Sequence, residues 1–572
     1  MLMKTKFLLL VIAILLACSY AMAQTGPGGI GGDEDAYEEG EPMISLWLRA
    51  HDLVEEDGFE DGEEVDEWTD YVSGLDFVAE APDDGVHGMP ILELDKINGY
   101  PWLKFNGNEF LVIPDHEHLD GGMGLGLFYV TNYASGKAGT LTQKLVHWNV
   151  FGEHSDLGRV MTMADIKFSW DSHVSAKGDW TFFINGNLPD GSGQDVFTDT
   201  LYKGGVNYLV DYVFNKNWGG TIRVNGDVST NPNRSEGNPN PITLGECVIG
   251  GDPMDPACTD YGTADVHIGV QYWDPPGWNT GGVSNYDSYL NGGVAEIIIY
   301  KGELDSTDML IVENYLSTKY NLPLDPAFKR YLDTTFTHDL IGIGTEQGNN
   351  VHPSSIAKEF SLDALNESLD APQEYLFAAS NGIIEIEYTD DNTGEGVSRW
   401  NKIWNLEKTG TIDAKLAFNF SEAGVTALLA TDYVLLYRAD SESDFTALTV
   451  TGELKYKVLS FELDDADLQS GQYTIGELSG ENAIRIRDYS ETMNLFPNPA
   501  GEIVKININN DLIGDMSGRI LDYTGREIST FVLHKSSRNY QQTLDVNFLD
   551  TGIYFLEVSQ GSARIVKSFC KF

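Results

Sequence analysis

Short apolar runs separated by turn-forming residues constrain this 572-residue chain more than any other feature. They fall at residues 44–48, 102–105, 125–130, 180–184, 208–214, 266–272 and 294–300, each four to seven residues long, with Gly, Asn, Asp or Pro between them. Runs of that length fill a strand and are too short for an ordinary helix. The interruptions supply the backbone positions that tight turns require. Alternating runs continue at 415–420 and 433–437, so the expectation is an all-β, multi-domain protein. One segment departs from the pattern. Asp305 and Ser306 can cap a helix, Met309, Val312, Tyr315 and Leu316 would share one face of it, and Asn321 and Pro323 would end it.

Charge divides the chain. It holds 36 basic and 88 acidic residues, a formal net charge of −52. Residues 491–572 hold eight basic and nine acidic residues, so nearly all the excess acid lies upstream and a boundary falls near residue 490. An acidic body repels nucleic acid and anionic membranes, so no nucleic-acid partner is expected. At the front, Lys4 and Lys6 precede an apolar run at 7–17, and Ala21-Met22-Ala23 precedes Gln24. This reads as a signal peptide over residues 1–23. Its apolar run is too short for a permanent span, and no other stretch is long enough for a transmembrane segment. Leu15-Leu16-Ala17-Cys18 leaves lipidation at Cys18 open, with Leu16 a poor fit. Residues 24–42 read as an acidic, glycine-rich linker.

Three resemblances organise the rest. The first rests on Leu46-Trp47-Leu48-Arg49-Ala50, Val65-Asp66-Glu67-Trp68-Thr69-Asp70, the stretch at 98–107, the run at 293–300, and Tyr315-Leu316-Ser317-Thr318-Lys319-Tyr320. Residues 43–325 thereby resemble the concanavalin A-like, laminin-G-like jelly-roll sandwich of many secreted bacterial proteins. The resemblance is specific at both ends and vague between them. Residues 328–480, with His338-Asp339-Leu340, Arg399-Trp400-Asn401 and Lys408-Thr409-Gly410, resemble an uncharacterised β-rich module, expected to be a second sandwich-like unit. Residues 490–572 carry Pro497-Asn498-Pro499 and Gly501, then the turn at 522–526, then Gly552-Ile553-Tyr554. They resemble the type A C-terminal sorting domain of type IX secretion substrates of Bacteroidetes type, which implies a small β-sandwich, contact with the type IX machinery, and delivery through the periplasm to the medium or the outer cell surface. Whether the tail is then cleaved stays open.

Candidate sites are sparse. Retaining glycosidases need paired carboxylates about 5 to 5.5 Å apart. The Glu-x-Asp-x-x-Glu run that supplies them on a jelly roll is absent, and Glu385 and Glu387 read as a solvated strand face. Gly-x-Ser-x-Gly, His-Glu-x-x-His and phosphate-binding glycine loops are absent too. His116-Glu117-His118 has chelate spacing but sits between Pro114 and Gly121-Gly122, which makes it a loop without a third ligand. Asp190 with Asp195, and Asp390 with Asn392, place oxygens in turns and are calcium candidates, though neither completes an EF-hand loop. Cys247 and Cys258 could close one loop as a disulfide in an oxidising compartment. For sugar contact, which stacks C–H faces on rings, the loop aromatics Trp218, Trp273, Trp278 and Tyr286 are the candidates, while Trp47, Trp68 and Trp102 read as core. The resulting expectation is a non-catalytic, surface-delivered binding or adhesion protein that recognises a polysaccharide or a surface protein and needs no cofactor, calcium apart. A structural surface-layer component and an unrecognised glycan-active enzyme are the alternatives.

Overall fold

The computed structural model describes residues 26–31, 43–79, 88–113, 124–133, 142–149, 158–165, 179–187, 193–197, 202–215, 219–228, 266–269, 271–272, 286–287, 290–301, 304–348, 350–365, 368–394, 396–425, 430–478, 493–509, 514–522, 526–536, 539–560 and 563–572. Among them the fold is all-β apart from a few helical turns and the one helix Ser306–Lys319.

Two sheets build the first part. An eight-stranded sheet is centred on the long strand Asn291–Lys301. That strand pairs along one edge with Gly124–Tyr133. Along its other edge it pairs first with Tyr100–Asn106 and then with the opening strand Met43–Arg49. A nine-stranded sheet, which includes Glu67–Thr69, Asp76–Ala79 and Leu111–Ile113, packs on its inner face. Strand alternation sends Leu46, Leu48, Leu103, Leu127 and Tyr129 inward to meet Trp68, Phe77, Leu111 and Ile268 from the facing sheet.

The outer face of the same sheet is equally apolar. Trp47, Phe128, Val130, Leu209, Ile298 and Tyr300 point away from that core, and the helix lies on them. Beyond the helix comes another nine-stranded sheet, centred on Glu374–Ser380, Trp404–Thr409 and Gly471–Leu478. Its near face gives Leu340, Tyr375, Phe377 and Ile403 to the helix cluster. Its far face packs Trp400, Trp404, Leu376 and Ile475 against Phe360, Phe418 and Phe461 of a five-stranded sheet. The order is therefore sheet, sheet, helix, sheet, sheet, so the helix is an internal layer.

This corrects the one-faced helix. Its start and end fall where expected, with Asp305 as N-cap, accepting from the amides of Thr307 and Asp308 at 2.6 and 3.0 Å, while the Asp305 amide donates to Asp308. But every residue from Thr307 to Lys319 is buried, polar ones included. The buried polar groups are paired across layers. Arg223 donates to both oxygens of Glu313 at 3.1 Å. Asn314 donates to the carbonyls of Leu310 and Phe328 and accepts from the amides of Arg330 and Tyr331. Buried polar groups cost free energy unless bonded, so these pairs make a helix buried on all sides tolerable.

Residues 26–31, expected to belong to a linker, are also buried, between the helix and the strand His338–Thr345. The tail has a core of its own. A three-stranded sheet (Met493–Phe496, Ile503–Asn509, Asn539–Asp545) faces a four-stranded one (Glu527–Lys535, Gly514–Asp522, Gly552–Gln560, Ala563–Lys571), with Val504, Ile506, Ile520, Leu556 and Phe569 between them.

Because the helix is a shared layer, weakening its start loosens both neighbours. Asp305→Ala removes two cap hydrogen bonds and is expected to lower stability by about 1 kcal/mol, read from urea unfolding of the full chain.

Candidate functional site

A β-bulge prepares the site. In the strand Asn291–Lys301 the register against Gly124–Tyr133 shifts between Val294 and Glu296. Val294 faces the inner core, Ala295 faces the helix, and Ile297 faces the inner core again. The extra residue thus turns Glu296 onto the helix side, where plain alternation would have sent it inward. Glu296 is fully buried there and accepts four hydrogen bonds: from Trp47 Nε1 at 2.6 Å, Tyr320 OH at 2.6 Å, Lys319 Nζ at 2.7 Å and Tyr315 OH at 3.1 Å. Burial alone would raise its pKa. The Lys319 charge and the hydrogen bonds outweigh burial and hold it below the usual glutamate value. Burial in turn pulls Lys319 down, against Glu296. Three tyrosine rings, Tyr100, Tyr315 and Tyr320, lie 5.1 to 5.4 Å from the Lys319 ammonium.

This cluster floors a cleft of about 660 Å³ between the first sheet pair and the second, within the size range of small-ligand sites. On the first side stand Trp47, Arg49, His51, Glu55, Tyr71 and Tyr100; on the second, His338, Asp339, Lys358, Ile384 and Lys402. Asp70 sets the turn that carries Tyr71 by accepting from the amides of Trp47 at 2.6 Å and Ser73 at 2.8 Å. Tyr71 keeps 52% of its surface exposed, meets the Trp47 ring edge-on at 5.2 Å, and is covered on one side by the Arg49 guanidinium at 3.6 Å. Across the cleft, Asp339 sits in the left-handed region (φ 52°), and its carboxylate meets Lys402 at 3.1 Å, Lys358 at 3.5 Å and Ser380 Oγ at 2.8 Å. Burial would raise it, but the two lysines and the hydroxyl bring it to about 2. Tyr100 and His338 rings face each other at 6.1 Å across the divide.

Every cation of the cleft has a carboxylate partner, with Asp339 shared by Lys358 and Lys402. Arg49 pairs with Asp52 at 2.7 Å, Lys319 with Glu296, Lys358 with Asp339, and Lys402 with both Asp339 and Glu359 at 2.5 Å. Both imidazoles are held neutral. Burial, then Lys319 and Arg49, push His51 far down, and burial with Lys402, Lys358 and Lys319 lowers His338 against Asp339. The walls therefore offer fixed hydrogen-bond donors and acceptors whose cations are all matched, and the carboxylates of Glu55 and Glu422 are left over on the acidic side.

None of the candidate site residues read from the sequence is among the described residues that line this cleft. Trp218, Trp273, Trp278, Cys247, Cys258, Asp190 and His116-Glu117-His118 lie outside the described residues. Tyr286 pairs with Tyr272 in a two-residue ladder, and Asp195 pairs with Asn185. Asp390 and Asn392 form an exposed turn, where Asp390 Oδ1 accepts from Ser398 Oγ and the Asn392 carbonyl accepts from the Phe445 amide. Among the described residues no group of three His, Cys, Asp or Glu side chains could hold a metal ion. Glu385 and Glu387 lie in a bend ahead of the strand Tyr388–Thr389, which corrects their placement on one strand face. Trp68 is fully buried and Trp47 nearly so, while Trp102 is half-buried and donates to Glu93.

In the tail, segments far apart in sequence meet on the last strand. The Ala500 amide donates to the Cys570 carbonyl, the Cys570 amide donates to Asn498 Oδ1, and Gly552, Ile553 and Tyr554 pair with Lys571, Cys570 and Phe569. Pro497 and Pro499 follow cis peptide bonds beside it, and Gly501 is exposed. Residues 494–571 match the family described as secretion system C-terminal sorting domain. The chain ends in a type IX sorting domain. It is exported by that route to the cell surface or the medium, and no helix among the described residues is long and apolar enough to cross a membrane.

No curated protein matches the chain. Among solved structures it is similar to domain 4 of AbnA, an extracellular GH43 arabinanase of Geobacillus stearothermophilus in complex with arabinotriose, at 13% identity over 48% of this chain and 98% of that one (TM-score 0.30). The ligand-binding domain of botulinum neurotoxin serotype D, in complex with N-acetylneuraminic acid, is 10% identical over 88% and 97% (TM-score 0.29). A heptameric pentraxin of Limulus polyphemus is 13% identical over 39% and 83% (TM-score 0.24).

Two outcomes follow from the charge pairs. Glu296→Ala leaves the Lys319 ammonium buried without a partner and is expected to cost about 3–5 kcal/mol in urea unfolding, while Glu296→Gln combined with Lys319→Met recovers most of it. Asp339 has a folded pKa below its unfolded one, so its stabilisation is full above about pH 4 and fades as pH falls towards 2. The stability gap between wild type and Asp339→Asn should be about 2 kcal/mol at neutral pH and close over that window.

Proposed function

We propose that this chain is a surface-delivered, non-catalytic glycan-binding protein whose first sheet pair is a concanavalin A-like, laminin-G-like jelly roll and whose ligand sits in the cleft between the two sheet pairs. The observation that carries this reading is Tyr71. It is a half-exposed ring, fixed by Asp70 and backed by Arg49, at the lip of a cleft whose cations are already paired with carboxylates. A ring of this kind presents a stacking face to sugar C–H groups, and paired polar side chains satisfy hydroxyls without attracting ions.

The pairing favours a neutral, hydroxyl-rich saccharide over a phosphate or a polyanion. A site for an anion leaves cations unmatched, whereas Arg49, Lys319, Lys358 and Lys402 each have a carboxylate partner.

The test is a glycan array followed by calorimetric titration with the full chain. Wild type should bind a neutral polysaccharide with little change between low and high salt. Tyr71→Ala should weaken it by about 1 kcal/mol, roughly fivefold. Loss of binding in Trp273→Ala/Trp278→Ala with Tyr71→Ala unaffected would move the site to the loops. Binding to a protein partner and to no polysaccharide would replace the glycan reading, and binding to neither would favour a surface-layer role. Turnover of a bound glycan would point to an enzyme. Repeating the titration with EDTA tests the calcium candidates.

A further inference from the structure

Residues 26–31 form a closed loop wedged between the two sheet pairs. The Gly26 amide donates to the Gly31 carbonyl at 3.1 Å, the Gly29 amide to Gly26 at 2.7 Å, and the Ile30 amide to Pro27 at 3.2 Å. All six residues are buried. On the second side, the Gly28 carbonyl accepts from the Gly342 amide at 3.0 Å and from Ser355 Oγ at 3.4 Å, and Gly28 bridges in parallel to Ile341. On the first side, the Ile30 carbonyl accepts from Tyr300 OH at 3.3 Å, and its side chain lies fully buried in the cluster that both sheet pairs share.

Two features make this contact specific. The strand His338–Thr345 is paired on one edge with Glu374–Ser380, whereas on the other Val351–His352 reaches only Gly344 and Thr345. On that edge the Gly342 carbonyl accepts from Ser355 Oγ at 2.6 Å, and Gly28 covers the Gly342 amide, which would otherwise be unpaired. The loop also has to be glycine. Gly28 and Gly29 lie at φ +70° and +91°; a Cβ on Gly28 would sit 2.8 Å from Ile311, and one on Gly29 would sit 2.1 Å from Ser355 Oγ.

We propose that residues 26–31 are an intramolecular latch that holds the two sheet pairs together and thereby keeps the cleft assembled. Gly26 and Gly28 belong to the cleft wall, so the ligand site is built from three separate parts of the chain: the first sheet pair, the second, and this loop. The effect on ligand binding rests on the glycan reading above; the latch itself does not.

The experiment uses the full chain in three forms: a deletion of residues 26–31, Gly29→Val and Gly29→Ala. Hydrogen exchange of the peptide spanning residues 339–344 should speed up about tenfold or more in the deletion and in Gly29→Val, because the Gly342 amide loses its acceptor. Calorimetry should show the two sheet pairs unfolding separately where wild type unfolds them together, with exchange in the tail unchanged. Unchanged exchange at 339–344 and an unsplit transition in the deletion would overturn the latch. Wild type that binds no saccharide would reject the glycan reading and leave the exchange result to decide the latch alone.

Discussion

Glu296 is a carboxylate with no access to water, and the geometry between the two sheet pairs depends on how its burial is made good. A lone charge there would be costly by several kcal/mol. It is tolerated because one β-bulge turns it to the helix side and because four donors from two other elements converge on it. Trp47 comes from the opening strand; Tyr315, Lys319 and Tyr320 come from the last turn of the helix and the residue after it. Satisfying one carboxylate therefore fixes the position of three segments at once. Arg49 and His51 follow Trp47 by two and four residues, so the wall of the cleft inherits its placement from the same bond set.

The helix transmits that order to the second sheet pair. Buried on all sides, it is held by apolar contact to Tyr375 and Phe377 on one side and to Phe128 and Ile298 on the other. Its polar groups serve as cross-layer ties: Thr307 donates to the Asn350 carbonyl, and Asn314 gathers residues 328–331. Two sheet pairs joined by a helix alone could still slide along its axis. The loop at residues 26–31 opposes sliding, since it bonds Tyr300 on one side and Gly342 on the other.

How much of this could be read in advance depends on how local each cause was. The strands were legible because each alternating run carries its own pattern, and the helix ends were legible because Asp305 and Pro323 act on adjacent backbone. The burial of the helix on every side was not, because Glu313 and Asn314 look like a solvated face until Arg223 and Phe328 are brought to them from elsewhere. Glu296 did leave a trace: it is the one acid inside the apolar run at 293–300, and a charge there asks for a buried partner. Tyr71 left almost none, since its turn, Asp70 to Gly74, resembles any other surface turn, and its value comes from Arg49 and Trp47 beside it. The glycines at 26–31 look like spacer, because composition cannot distinguish a flexible glycine from one that is required by a close approach.

The tail and the body solve different physical problems, and their charge reflects it. The tail closes on itself: its hydrophobic cluster contains only tail residues, and its matching segments meet on its own last strand. The near-neutral module is the one that the secretion machinery recognises, and the acid is left to the body it carries. The body, with almost the whole −52, repels copies of itself and other acidic surfaces. Within that field the cations of the cleft are already matched by carboxylates, so they offer an anion little attraction. An anion would also have to cross the field of the body, so the strong acidity of the body and the paired cations of the cleft weigh against the same ligands.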